Sequence, residues 1–123
     1  MTKLDHPTLA VRDFTRSRGW YVEHLGFAVE FEIPDARVAA LRDDAGFALF
    51  VAETGMPAAS GSCVLAIQVD DVDALHRVLA AGGVPFVHPP SRQFRGYGAE
   101  LRDPDGYPVR PWDEASMREK GNA

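Results

Sequence analysis

The chain has only one cysteine, Cys63, so an intrachain disulfide is excluded. It also lacks an apolar run long enough for a signal peptide or a membrane-spanning helix. Both absences favour a cytoplasmic protein that has no membrane as a partner.

The chain also has fewer basic than acidic residues. Lys and Arg number 13 against 18 Asp and Glu, which gives a formal net charge of −5. Proteins that bind nucleic acids or anionic membranes depend on Lys and Arg for their affinity. We therefore expect no nucleic-acid partner. With 123 residues, 46% of them hydrophobic, the chain is large enough for the core of one ordinary domain.

The most informative feature present is an internal repeat. Residues 41–47 (LRDDAGF) recur sixty residues later as residues 101–107 (LRDPDGY). Residues 9–14 (LAVRDF) likewise resemble residues 67–72 (IQVDDV). Because there are two copies and the period is about half the chain, the repeat indicates two homologous halves rather than a solenoid.

The first half predicts the order β-α-β-β-β. Residues 6–12 alternate between apolar and polar, which is typical of a strand with one buried face. Asp13 is a good helix N-cap, and Gly26 suits the left-handed position that ends the helix. Three strands follow, at residues 27–33, 37–42 and 47–52, the last two joined by a tight turn.

The second half repeats this plan after a linker at residues 54–62. A strand is predicted at residues 63–69 and a helix from the N-cap Asp71 to Gly82. Residues 84–88 predict a short strand, residues 89–96 a polar loop, and residues 97–102 and 107–112 a final hairpin. The modules thus span about residues 4–53 and 63–113, and residues 114–123 are expected to form a polar, poorly anchored tail.

These residues carry a resemblance to a known family. The segments HPTLAVRD (6–13), WY (20–21) with LGF (25–27), and DPDGY (103–107) resemble the vicinal-oxygen-chelate superfamily. That superfamily includes glyoxalase I, bleomycin-resistance proteins and extradiol dioxygenases. The resemblance implies a single α+β domain in which two βαβββ modules form an open, incomplete barrel with a concave groove.

The resemblance also bears on metal binding. Metal enzymes of this type carry one ligand at the start of the first strand and one in the last strand of each half. The corresponding positions here are His6, Phe50, Val64 and Arg110. Only His6 can bind a metal, because two of the others are apolar and a guanidinium has no lone pair to offer. We therefore predict neither a metal site nor another cofactor.

The alternation of the strands predicts which side chains line the groove. Aromatic walls, a few hydrogen-bonding groups and one fixed charge are typical of a small-molecule site. The candidate ligand-binding residues are His6, Thr8, Phe50, Gln68, Tyr97, Arg110 and Trp112. Alternatives stay open: Phe50 and Trp112 as core residues, His6 as a surface residue, and Arg110 as the partner of a carboxylate.

Pairing the final hairpin through its DPDG turn places Tyr97 opposite Trp112 and Ala99 opposite Arg110. In this register Glu100 points to the core side, whereas a bulge would shift the register and reverse the face. With Ala99 as its neighbour, Arg110 is predicted to bind an anionic or carbonyl-bearing ligand.

The missing metal ligands favour a metal-independent small-molecule binding protein without catalytic residues, and the resemblance implies that it is a homodimer. It is closest in type to the bleomycin-resistance proteins, with antibiotic sequestration as its activity. The alternative is a glyoxalase-like or dioxygenase-like enzyme, a lyase, isomerase or oxidoreductase. A metal-free version would use His6 as the general base and Arg110 to stabilise an oxyanion. A third reading is a structural or regulatory dimer without a ligand.

Overall fold

The first half of the chain forms a βαβββ module. The computed structural model describes residues 1–54, 63–93 and 95–121, so most of the predicted linker lies outside the described residues. The elements are β1 (Thr8–Val11), α1 (Phe14–Leu25), β2 (Ala28–Ile33), a 3₁₀ turn (Pro34–Ala36), β3 (Val38–Arg42) and β4 (Ala48–Glu53). The strands form one sheet in the order β1-β4-β3-β2, with β1 parallel to β4 and the other pairs antiparallel.

The second half has the same plan. Its elements are β5 (Leu65–Gln68), α2 (Val72–Ala81), β6 (Phe86–Gln93), β7 (Gly96–Arg102), β8 (Pro108–Trp112) and α3 (Glu114–Lys120). Its sheet has the equivalent order β5-β8-β7-β6, again with the first pair parallel. The α+β class and the two βαβββ modules are confirmed. They form two compact units, Met1–Ala59 and Ser60–Ala123. A single domain with a shared groove stays a prediction.

Local capping explains where the first helices begin and end. The Asp13 carboxylate accepts hydrogen bonds from the N–H groups of Thr15 and Arg16, both at 3.1 Å. Asp71 accepts one from Ala74 at 3.0 Å. Gly26 ends α1 with φ 72°, which costs glycine little because it has no Cβ. None of the helices in the described residues is long and apolar enough to cross a membrane.

The repeated LRD segments are turns held by an aspartate. The Asp43 carboxylate accepts from the N–H groups of Ala45 and Phe47, at 3.0 and 2.8 Å. Its counterpart Asp103 accepts from those of Asp105 and Tyr107, both at 2.9 Å. A short side chain bonded to the backbone of the next residues fixes each turn. This accounts for the recurrence of the motif.

Each sheet buries the side that faces its helix. In the first module Tyr21 of α1 is fully buried, as are residues on that side of three strands: Leu9, Val11, Leu41 and Val51. In the second module α2 contributes Val72 and Leu79, and the sheet contributes Ala99, Leu101 and Val109. Burying such side chains contributes about 1.5–3 kcal/mol each. The opposite side of each sheet is left for function.

The prediction of a loop from residue 89 was wrong for residues 89–93. Strand β6 continues to Gln93 through Pro89 and Pro90, with a register shift between His88 and Ser91. Proline lacks the N–H needed between two strands, but it is tolerated at a bulge or on an edge strand. Because β6 is the edge of its sheet, it accommodates both prolines.

The tail prediction was also wrong as far as residue 121. Glu114–Lys120 forms helix α3, whose N-cap Asp113 accepts from the Ser116 N–H at 2.6 Å. The Sδ of Met117 lies 3.3 Å from the Tyr97 nitrogen, and the Lys120 carbonyl accepts from Arg92 Nε at 3.0 Å. The segment is polar, but its anchoring depends on contacts that are distant in sequence. Residues 122–123 lie outside the described residues.

Candidate functional site

The side of the first sheet that faces away from α1 carries a row of side chains that crosses all four strands. Thr8 pairs with Phe50, Phe50 with Ala40, and Ala40 with Phe31. Paired residues project from the same side of a sheet, so the four side chains form one line. We call Thr8, Phe50, Ala40 and Phe31 the aromatic row.

His6 extends this aromatic surface. Its imidazole lies on the Phe50 ring, with centroids 3.7 Å apart and an interplanar angle of 14°. Phe31 meets the same ring edge-on, at 5.6 Å and 85°. The His6 Nδ1 is 2.7 Å from the Asp5 carboxylate, which fixes the orientation of the imidazole. The predicted residues His6, Thr8 and Phe50 are therefore neighbours within the first module.

Phe31 was not predicted to be part of this surface. A bulge in β2 shifts the register between Val29 and Phe31, and this irregularity determines which side Phe31 faces. Phe31 is 42% exposed, and Ile33 beyond it is 49% exposed. The alternation of residues 27–33 signals a strand but does not reveal the bulge.

The second sheet has a charged row in the equivalent position. Arg110 pairs with Ala66, and His88 pairs with Glu100. The final hairpin pairs Leu101 with Val109 and Arg102 with Pro108, so the next step of the same register sets Glu100 opposite Arg110. We call Ala66, Arg110, Glu100 and His88 the charged row.

The predicted hairpin register was therefore wrong by one residue. The Asp103 N–H donates to the Tyr107 carbonyl, and Gly106 adopts φ 90° between them. The loop inside this pair therefore has three residues, 104–106, and a left-handed glycine at its end forms a bulge. This shift turns Glu100 to the side of Arg110 and Tyr97 to the other side.

Arg110 has a protein carboxylate as its partner, contrary to the register-based prediction. Its Nε donates a 2.7 Å hydrogen bond to Oε1 of Glu100, and Arg102 is 3.7 Å from Oε2. Glu100 is 8% exposed. Burial opposes ionisation of Glu100, but the bond and charge of Arg110, with Arg102 and Arg95, outweigh it and lower the pKa of this carboxyl.

Arg95 and His88 complete the polar cluster. The Arg95 guanidinium lies 3.2 Å from Nε2 of His88, whose Nδ1 lies 2.8 Å from the Pro89 carbonyl. Since a carbonyl only accepts, Nδ1 carries the proton and Nε2 accepts from Arg95. Burial, followed by the charge of Arg110, lowers the pKa of Arg95. Neither residue was predicted to belong to the site, because the segment between them resembled a loop.

Tyr97 lies on the helix side of its sheet. Its hydroxyl donates a 2.9 Å hydrogen bond to Asp73 of α2, and the Lys120 amine is 4.9 Å from the ring centroid. Burial and the bond to Asp73 raise the pKa of Tyr97. The prediction that Tyr97 lies opposite Trp112, on the same side as Arg110, was wrong, so we do not retain it as a ligand contact. Gln68 and Trp112 pair with each other and lie on the side of Arg110. Their role in ligand binding stays a prediction.

The sequence matches one known protein family. A family model described as the Glyoxalase/Bleomycin resistance protein/Dioxygenase superfamily matches residues 3–110, which is most of the chain. The chain belongs to this superfamily. A search of curated proteins found no match.

Solved structures of the superfamily share the fold of this member. TnmS3, an antibiotic binding protein from Streptomyces sp. CB03234, is 25% identical with a TM-score of 0.77, covering 92% of this chain and 96% of that chain. A superfamily member from Sphaerobacter thermophilus is 22% identical with a TM-score of 0.78, covering 93% and 98%. A lactoylglutathione lyase from Agrobacterium tumefaciens is 17% identical with a TM-score of 0.73, covering 92% and 94%.

The residues of this superfamily member do not fit the metal of its enzymes. Phe50 is stacked against His6, and Arg110 is bound to Glu100, so two of the four positions hold a hydrocarbon ring and a cation. Among the described residues, no three His, Cys, Asp or Glu side chains are grouped so that they could hold a metal ion. A divalent ion needs several converging N, O or S donors. We therefore derive no catalytic step through a metal.

Proposed function

We propose that this chain is a metal-independent small-molecule binding protein whose ligand places a planar ring on the aromatic row. The observation that carries the proposal is the stack of His6 on Phe50, at a position where the metal enzymes have a ligand. Phe31 offers a second ring at right angles to the first. Two rings at right angles can give a planar ligand one offset-stacked contact and one edge-to-face contact.

Antibiotic sequestration is the form of binding that we favour. The superfamily includes bleomycin-resistance proteins, and the similar structure of TnmS3 is that of an antibiotic binding protein. Sequestration requires only affinity, and the aromatic row supplies ring contacts without a metal. The expected setting is the cytoplasm, in keeping with the lone Cys63.

A homodimer is part of this proposal. Strands β2 and β6 are at the edges of their sheets, and the unpaired backbone groups of an exposed edge are commonly covered by another segment or chain. Light scattering at micromolar concentration should give twice the mass of 13.5 kDa. A monomer under these conditions would contradict this part of the proposal alone.

A metal-free enzyme is the second candidate, and one contact favours it. The Asp5 carboxylate lies 2.7 Å from Nδ1 of His6, an arrangement that orients a histidine for proton transfer. The similar lactoylglutathione lyase shows that the fold also supports catalysis. In this case His6 would remove a proton from a substrate lying on the aromatic row.

A compound screen separates the two functions. Planar aromatic antibiotics and small aromatic metabolites are first ranked by thermal shift, and their affinities are then measured by calorimetry. Phe50→Leu and Phe31→Leu should each weaken binding by about 0.5–1.5 kcal/mol, because an aromatic contact contributes about that much. Phe47→Leu is the matched control, since Phe47 is 44% exposed in the turn outside the row.

The outcome is read from affinity and turnover together. Binding that depends on Phe50 and Phe31, with the compound recovered unchanged, supports sequestration. Turnover that is abolished by His6→Gln, without loss of affinity, supports the enzyme instead. If Phe47→Leu weakens binding as much as the row variants do, the ligand does not lie on the aromatic row.

A further inference from the structure

The two modules carry opposite chemistry on equivalent rows. Phe50 and Phe31 of the aromatic row correspond to Arg110 and His88 of the charged row. A register shift immediately precedes Phe31 in one edge strand and His88 in the other. The backbone arrangement is therefore repeated, and the charged row replaces the aromatic one at the same place in the fold.

The cluster around the charged row has more positive than negative charge. Glu100 receives the 2.7 Å bond of Arg110, and it feels the charges of Arg102 and Arg95. His88 contacts Arg95 through Nε2 and the Pro89 carbonyl through Nδ1. Arg110 and Arg102 thus both pair with the Glu100 carboxylate, and Arg95 adds a third positive charge to the cluster, in a chain whose formal net charge is −5.

Arg110 still has hydrogen-bond donors to offer. Its Nε is the atom that binds Glu100. Within residues 1–54, 63–93 and 95–121, no hydrogen bond involves either of its two terminal nitrogens. The Arg110 side chain is 36% exposed, so it is not closed off from a small solute. A guanidinium held by one edge presents its remaining donors in a fixed fork that matches two oxygens of an anion.

Arg95 belongs to the same chain of contacts, because it bonds to His88, and His88 pairs with Glu100, the partner of Arg110. Part of the lowering of its pKa comes from the positive charge of Arg110, after burial. The His88 Nε2 accepts from one Arg95 nitrogen and restricts the guanidinium. Two partly desolvated cations in one cluster repel, and a bound anion would offset that repulsion.

We propose that the charged row of the second module is an oxyanion site, in which Arg110 and Arg95 bind a carboxylate, phosphate or sulfate group of a small molecule. Glu100 positions Arg110 through its Nε edge, and His88 positions Arg95. The site uses only residues of the second module, so it does not depend on a ring bound to the aromatic row.

The test is a titration of the whole ¹⁵N-labelled protein with sodium acetate, phosphate or sulfate at constant ionic strength. The Nε–Hε signals of Arg110 and Arg95 should shift in a saturable way, with a dissociation constant in the low millimolar range for such small probes. Comparing acetate with phosphate and sulfate identifies the preferred group. Absence of a saturable shift with all three anions would overturn the proposal.

Matched arginine variants locate the site. Arg110→Gln and Arg95→Gln should each weaken anion binding about tenfold, which is the effect of a lost charged hydrogen bond. Arg42→Gln removes the same charge from an arginine that pairs with Glu30 in the first module, and it should leave the affinity unchanged. Equal losses in all three variants would mean general charge attraction and would overturn the site.

Glu100→Gln distinguishes an anion site from a merely structural ion pair. The glutamine keeps an oxygen for Arg110 Nε but removes the competing negative charge, so anion affinity should rise about threefold to tenfold. A merely structural pair predicts no gain in affinity. Arg110→Lys serves if Arg110→Gln fails to fold, because it keeps the charge, loses the fork and should bind the anion several times more weakly. An unchanged affinity in that variant would overturn the role of the fork.

Discussion

The carboxylate of Asp113 accepts a 2.7 Å hydrogen bond from the backbone N–H of Val72. It thereby joins the end of the last strand of the second module to the first turn of α2. In the first module Glu53 occupies the equivalent position and accepts from the Phe14 N–H, at 3.4 Å. The repeat thus preserves an acidic residue that binds the helix N-terminus, where negative charge is favoured.

Asp113→Ala should lower the free energy of unfolding by about 2–4 kcal/mol, because it removes the N-cap of α3 and leaves the buried Val72 N–H unpaired. Asp113 is 2% exposed and Val72 is fully buried. Glu53→Ala should lower the free energy of unfolding by less than about 1.5 kcal/mol. The hydrogen bond from Phe14 to Glu53 is long, and the ion pair of Glu53 with Arg37 is exposed. Urea unfolding followed by tryptophan fluorescence gives both values. Equal losses would contradict this ranking.

Stability should fall in acid through the same buried carboxylates. Despite the opposing effect of burial, hydrogen bonds lower the pKa of Glu100 below 4.5 and that of Asp113 below 3.8. A lowered folded-state pKa gives stability that is present above the unfolded value and lost as the pH falls through the folded value.

The free energy of unfolding of the wild type should therefore exceed that of Glu100→Gln at neutral pH, and this difference should shrink as the pH falls below 4.5. Urea unfolding at a series of pH values from 7 to 3 measures the difference. The difference should be largest near pH 7 and shrink in acid. A constant difference would mean that Glu100 is not more acidic in the folded protein.

Local signals in the sequence were enough for the elements and their order. Asp13, Asp71 and Gly26 mark helix ends through contacts within four residues, and the turns around Asp43 and Asp103 are equally local. Helix α3 was missed because its anchors lie elsewhere in the chain. Its docking depends on Gly96 and Tyr97, about twenty residues earlier.

The site was harder to predict because its faces depend on single irregular residues. One left-handed glycine, Gly106, shifts the hairpin and exchanges the faces of Glu100 and Tyr97. Bulges before Phe31 and His88 do the same in the edge strands. Alternation gives the period of a strand, whereas a bulge reverses the face without changing the composition.

Two glycines should respond to alanine in opposite directions. Gly96 has φ 117°, and an added Cβ would overlap Sδ of Met117. Gly96→Ala should therefore lower the free energy of unfolding by about 1–3 kcal/mol. Gly19 lies inside α1 with no atom within 4 Å of an added Cβ, so Gly19→Ala should stabilise the protein by about 0.5–1 kcal/mol. Thermal and urea unfolding measure both.

A double variant separates the two causes at Gly96. Adding Met117→Ala removes the overlap but leaves the positive φ, so it should not restore the wild-type stability. Full recovery would mean that Met117 alone excludes a side chain there. A stable Gly96→Ala protein would contradict the observed backbone conformation.

Tyr97→Phe tests the placement of Tyr97 on the helix side. Loss of its bond to Asp73 should lower the free energy of unfolding by about 1–2 kcal/mol, the usual range for a hydrogen bond to a charged group. In the wild type, the Tyr97 phenol should titrate above 10.0, because burial and Asp73 raise its pKa. Asp73→Asn should lower that pKa while keeping a hydrogen-bond acceptor.

Anion binding supplies the decisive comparison for Tyr97. Because its hydroxyl points toward α2, Tyr97→Phe should leave acetate, phosphate and sulfate affinities as they are in the wild type, while Arg110→Gln lowers them. Both variants are measured by the same titration, with circular dichroism as the check on folding. A loss of anion affinity in Tyr97→Phe at unchanged stability would instead place the hydroxyl on the side of Arg110, as the predicted pairing of Tyr97 with Trp112 implied.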